Sequence, residues 1–133
     1  MEKQELPKTK LDFVAKSVKF HINELVAEAD KYTRSMNEDY EYFFRWYAED
    51  MYKVQLELSE YRKLKAVVNT GEIVATETYL RNKIWNFTDD LLGGSLRLRS
   101  TSVTTSLAHT FAAEVKQRLR ERFAGLLDRI ENE

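Results

Sequence analysis

The sequence predicts an all-α fold: a small helical bundle of about four helices, the second of them long, with residues 1–133 forming one domain. Three observations carry this expectation. Apolar residues recur at three-and-four spacing along most of the chain, capping signals precede several of these runs, and no convincing series of strands is present. Pro7, the single proline, interrupts none of the runs.

The first helix is expected to start after Thr9, whose hydroxyl can cap the free amides of the first turn, with Asp12 in the third position. Its buried face reads Leu11, Val14, Val18, Ile22, Leu25, Val26 and Ala29. A second capping box, Ser35-Met36-Asn37-Glu38, opens a longer pattern of Tyr40, Phe43, Tyr47, Met51, Val54, Leu58, Tyr61 and Val68, which ends at Asn69-Thr70-Gly71. Some thirty helical residues span about 45 Å, long enough for a kink or a protruding end. The third element, with Ile73, Leu80, Ile84, Phe87 and Leu91, is expected to stop at Gly93-Gly94. Residues 66–76 fit either a small β-hairpin or a helical turn, and the helical turn is preferred. The last helix is expected from near Thr101 or Ser102, burying Val103, Leu107, Phe111, Val115, Leu119, Phe123, Leu126 and Ile130. Leu11, Val18, Ile22, Leu25, Phe43, Leu58, Leu80, Ile84, Phe111, Val115 and Leu119 are expected to supply core contacts.

A chain of 133 residues with 43% hydrophobic and 32% charged residues is large enough to bury a core without metals or cross-links. The absence of cysteine excludes disulfides, thiolate metal sites and thiol nucleophiles together. Met1 to Lys10 lacks a continuous apolar stretch, and no run approaches the ~18 apolar residues of a membrane span. A cytoplasmic protein with no membrane partner is therefore expected.

Catalytic chemistry finds no support. Neither His21 nor His109 has a glutamate three residues before it, as a carboxylate-bridged metal centre in a bundle requires. His109 follows Ser102, Thr104, Thr105 and Ser106, but nothing marks an orienting acid, so these hydroxyls are read as helix-starting residues. Asp89-Asp90 and Glu49-Asp50 are read as charges on solvated helix faces. Gly93-Gly94-Ser95 before Arg97 and Arg99 has the composition of a phosphate cradle without its preceding strand or its lysine, and is read as a helix terminator. The expectation is a chain with no catalytic residue, metal, cofactor or small-molecule substrate, and not an enzyme.

Binding surfaces are more visible. Tyr40, Tyr42, Phe43, Phe44, Trp46, Tyr47 and Tyr52, at 100° per residue, spread around a helix more widely than one buried stripe. Phe44, Trp46 and Tyr47 are the expected protein-contacting residues, toward a partner or a second copy. The net charge of −1 also hides an uneven distribution. Between Ser35 and Glu60 seven acids face two bases, whereas between Gly93 and Arg122 six bases face two acids. Those bases, Arg97, Arg99, Lys116, Arg118, Arg120 and Arg122, are the candidate nucleic-acid contacts, against the alternative of a solvated face paired with Glu114 and Glu121. The size and all-α plan are similar to those of helical small subunits in multi-protein nucleic-acid complexes, a likeness of architecture that matches no residues. The expected function is a non-enzymatic subunit acting by binding, its basic C-terminal region toward nucleic acid or another acidic partner and its aromatic helix toward protein. The alternative is a structural adaptor whose acidic and basic regions meet across a homo-oligomer, with no nucleic-acid binding.

Overall fold

The computed structural model describes residues 2–97 and 103–132, with side chains described for 10–92 and 103–132. These residues form five helices: α1 (Glu2–Glu38), α2 (Tyr40–Trp46), α3 (Ala48–Val68), α4 (Ile73–Arg97) and α5 (Val103–Glu131). No strand occurs among the described residues.

The longest helix is the first, not the second. α1 covers 37 residues, about 55 Å at 1.5 Å per residue. It starts ahead of Thr9 and runs through Pro7, its sixth residue, which cannot donate the helical bond to the Lys3 carbonyl. It also passes Ser35, whose carbonyl accepts the Asp39 amide at 2.9 Å, so the proposed capping box lies inside the helix. The cap is Asp39. Its backbone is extended, and its carboxylate accepts the Tyr42 amide at 3.1 Å. From there the expected long second helix is divided by a kink at Tyr47 into the seven-residue α2 and the 21-residue α3. The ladder almost survives the kink, because the Tyr47 amide donates to Phe43 O and the Met51 amide to Tyr47 O.

Residues 66–76 form the helical turn. The Thr70 and Gly71 amides bond back to Val67 and Val68 carbonyls, the Thr70 hydroxyl donates to Val67 O, and Gly71 takes a φ of 77°. That left-handed conformation suits glycine and stops α3 sharply. Gly93-Gly94 does not stop α4, which continues to Arg97: helical glycine weakens a helix without forbidding it.

Side-chain pairs give the helix directions. His21 on Tyr61 and Tyr32 on Tyr47 make α1 and α3 antiparallel; Lys116 on Asp90 and Arg81 on Glu131 do the same for α4 and α5. Lys53 on Glu114 and Glu57 on Arg118 make α3 and α5 parallel. The four long helices thus run up-down-up-down, with α3 and α5 as the central pair, α1 mainly against α3 and α4 mainly against α5.

The core follows from this arrangement. Tyr61, Leu64, Leu80, Leu119 and Phe123 are fully enclosed, with Val14, Val18, Leu25, Phe43, Leu58 and Val115 around them. Leu11, Ile22 and Ile84 are half-buried against this core, and Phe111 is half-buried with its ring 6.3 Å from Tyr52. Val103 and Leu107 depart from the expectation, being 73% and 47% exposed. They continue the stripe of α5 beyond the residues that cover it.

Candidate functional site

The basic residues of α5 flank its buried stripe. At 100° per residue, Val115, Leu119, Phe123, Leu126 and Ile130 share one side, with Lys116 and Arg120 along one edge and Arg118 and Arg122 along the other. The first edge faces α4, where Lys116 pairs with Asp90 at 3.1 Å and Arg120 donates to the Thr88 hydroxyl at 3.4 Å. The second edge faces α3, where both arginines donate to one carboxylate, Glu57: Arg118 to Oε2, and Arg122 to Oε1 at 3.1 Å. Arg97 ends α4, and Arg99 lies outside the described residues. The four α5 bases therefore belong to two separate edges, each engaged by a neighbouring helix.

Glu57 is the residue the sequence reading passed over. It is only 3% exposed, in the middle of a central helix, and it joins α3 to α5 through paired guanidinium contacts. The signal was present: Val54, Glu57, Leu58, Tyr61 and Leu64 occupy one helical stripe, and an acid on such a stripe needs a partner. The acidic and basic stretches of the chain thus meet within one molecule, so two copies are not needed to satisfy them.

Around this bridge lies a wider polar cluster. The His21 ring stacks on Tyr61 with centroids 5.0 Å apart, and Tyr61 meets Phe123 edge-on at 5.6 Å. Burial, aided by the nearby Arg122 charge, holds the His21 pKa below its ordinary value and keeps the ring neutral near pH 7. Burial also pushes the Tyr61 phenol up, against the opposing effect of Arg122. A cleft of about 320 Å³ opens over this cluster between α1 and α5. Among the described residues, no three histidine, aspartate or glutamate side chains gather as metal ligands, and no helix is long and apolar enough to cross a membrane.

The aromatic residues around α2 divide differently from the basic ones. Phe43 turns inward and is buried; Tyr47 is half-buried, its ring 5.2 Å from Tyr32 and 5.8 Å from Tyr42. Phe44 and Trp46 remain 66% and 62% exposed, and Tyr40, Tyr42 and Tyr52 are exposed beside them. Of the three expected contact residues, two stand on the surface and Tyr47 forms the inner side of the kink. Asp39, Glu41, Glu49 and Asp50 surround the patch, with Arg45 paired to Glu41 at 3.2 Å. Trp85 on α4, 70% exposed, and Phe20 on α1, 60% exposed, are large surface rings that the sequence reading did not single out. Comparison of the chain with protein-family models, with curated proteins and with solved structures returns no match.

Proposed function

We propose that this chain is a non-enzymatic binding subunit that docks through its aromatic elbow, α2 and the start of α3, onto a protein with an apolar pocket and a basic rim. One observation carries the reading: Tyr40, Tyr42, Phe44 and Trp46 all stand half or more exposed on a single seven-residue helix. Aromatic side chains of this kind supply much of the energy at protein interfaces, and the surrounding acids favour a basic partner rim. The test uses the intact protein and its Phe44→Ser/Trp46→Ser variant in parallel affinity purifications. A protein retained by the parent is then purified and titrated against both, and the variant should bind about 100-fold or more weakly, as loss of two anchor rings implies. Equal affinities would move the contact elsewhere, and light scattering separates a second copy from a different protein.

A second reading, contact with nucleic acid, rests on the sharing of one carboxylate by Arg118 and Arg122, whose side chains stay 42% and 40% exposed. Two positive charges face one negative charge there, so part of the basic character survives folding. Arg97, Arg99, Lys116 and Arg120 would extend the surface. Exchanging Arg118 and Arg122 would leave Glu57 buried without partners, so Arg97→Gln/Arg99→Gln is the cleaner variant. Affinity for random-sequence RNA or DNA should fall steeply with salt in the parent and less steeply in the variant.

A further inference from the structure

We propose that the cleft between α1 and α5 binds a small organic anion, a carboxylate or phosphate monoester on an apolar body, with Arg122, Arg129 and the Tyr61 hydroxyl holding its charged end. One wall is a face of α1 that presents Phe13, Ser17 and His21 at successive four-residue steps; the other is a face of α5 with Arg122, Gly125 and Arg129. The opening follows from the packing. α1 leans on α3 and touches α5 only lightly, so the two walls do not close on each other.

Three features of this cleft point to a ligand. First, the Tyr61 hydroxyl is buried beside Arg122, and among the described residues nothing accepts its proton. The nearby Arg122 guanidinium has only donors, so it cannot accept the phenolic proton, whereas an anion oxygen beside Arg122 could. Few buried hydroxyl protons are left without an acceptor, and one from outside would complete this group. Second, Gly125 sits well inside a helix, where alanine would be more favourable, yet nothing lies within 4 Å of the position its Cβ would take. The position is open, so a bound molecule could lie directly against the helix backbone there. Third, charge and shape agree. Arg118 shares the task of balancing Glu57, which leaves part of the Arg122 charge for the cleft, and the Arg129 guanidinium lies 4.0 Å from the Phe13 ring centroid. Phe13, 36% exposed, offers apolar surface beside these cations, so the fitting ligand has a flat or apolar body and an anionic end. The volume, about 320 Å³, suits a small molecule.

The experiment is a nuclear magnetic resonance titration of the full chain with benzoate, phenyl phosphate and, as a cationic control of similar shape, benzylamine. One or both anions should shift the Ser17 and Gly125 amides saturably, the tighter one naming the headgroup, while benzylamine leaves them unmoved. Gly125→Leu fills the cleft while both arginines are kept, and should weaken binding tenfold or more while the melting temperature holds or rises. Tyr61→Phe removes only the hydroxyl and should weaken binding several-fold with the fold intact. No saturable shift with either anion, equal shifts with benzylamine, or parent-like binding by Gly125→Leu would each overturn the site. Phe44 and Trp46 take no part, so the outcome is independent of the docking surface on α2.

Discussion

The centre of α3 and the helix that precedes it reverse the usual distribution of residue types. Glu57, a carboxylate, is 3% exposed, while Phe44 and Trp46, a few turns earlier, are 66% and 62% exposed. What differs is the covering. Glu57 lies between α3 and α5, where two guanidinium groups reach it; α2 packs on α1 and α3 with Phe43 inward, and among the described residues no helix covers its outer face. Burial is decided by whether a neighbour exists and can satisfy the group, and hydrophobicity alone does not settle it.

That contrast can be broken by mutation. The largest effect is expected in the apolar layer next to the bridge: Leu119, fully buried, changed to alanine should cost about 2–5 kcal/mol in denaturant unfolding through lost transfer energy and a cavity. Glu57→Gln removes the charge from the shared bridge and should cost about 1–2 kcal/mol, below the 3–5 kcal/mol of a wholly buried pair because both arginines keep contact with water. Raising the salt concentration should narrow this difference only slightly, since the carboxylate itself is buried. On the exposed side, Phe44→Ser/Trp46→Ser should change stability by less than about 0.5 kcal/mol for each substitution. A loss comparable to that of Leu119→Ala would mean that the rings serve the fold.

The remaining effects are those of pH. Tyr79 is pushed up to about 12 by burial and, secondarily, by the nearby Glu60 charge, so between pH 10 and 12 the unfolded chain has released a proton the folded chain retains. Stability should therefore fall across that window, and Tyr79→Phe should remove one proton from the slope. His21 has the opposite sign. Its folded pKa lies below 6.5, so its contribution is complete above that value and declines as pH falls through it. Urea titrations at pH 7 and pH 5 of the parent and of His21→Gln should show a smaller acid loss in the variant.

Local chemistry made some parts of the structure readable from sequence. Asn69-Thr70-Gly71 was legible as a helix stop because a hydroxyl, a left-handed glycine and two back-bonded amides all lie within four residues. The stripe from Val115 to Ile130 was legible because α3 and α4 cover it throughout. The cap expected at Ser35 falls four residues later, at Asp39, because the α1 ladder continues as far as the Asp39 amide. Val103 and Leu107 continue the right period, but period says nothing about where a covering helix ends. The exposed Phe44 and Trp46 could be expected from their angular spread, whereas the bridge at Glu57 needed α3 and α5 to lie parallel and adjacent. The cleft between α1 and α5 was the least legible feature, because it arises from how loosely two distant segments approach each other.

The parallel central pair also shapes the way the molecule comes apart. α1 with α3, and α4 with α5, are the two closely packed antiparallel pairs, and each forms largely from neighbours in sequence. The junction between the pairs holds the Glu57 bridge, the Lys10 ammonium donating to the Ile130 carbonyl at 2.9 Å, and the cleft beside Tyr61. Partial opening should follow this junction, parting one helical pair from the other while each remains helical, and amide exchange should report two cooperative units in place of one. A molecule held by α1 and α5 together would span the two units, and its affinity would appear as slower exchange in helices it never touches.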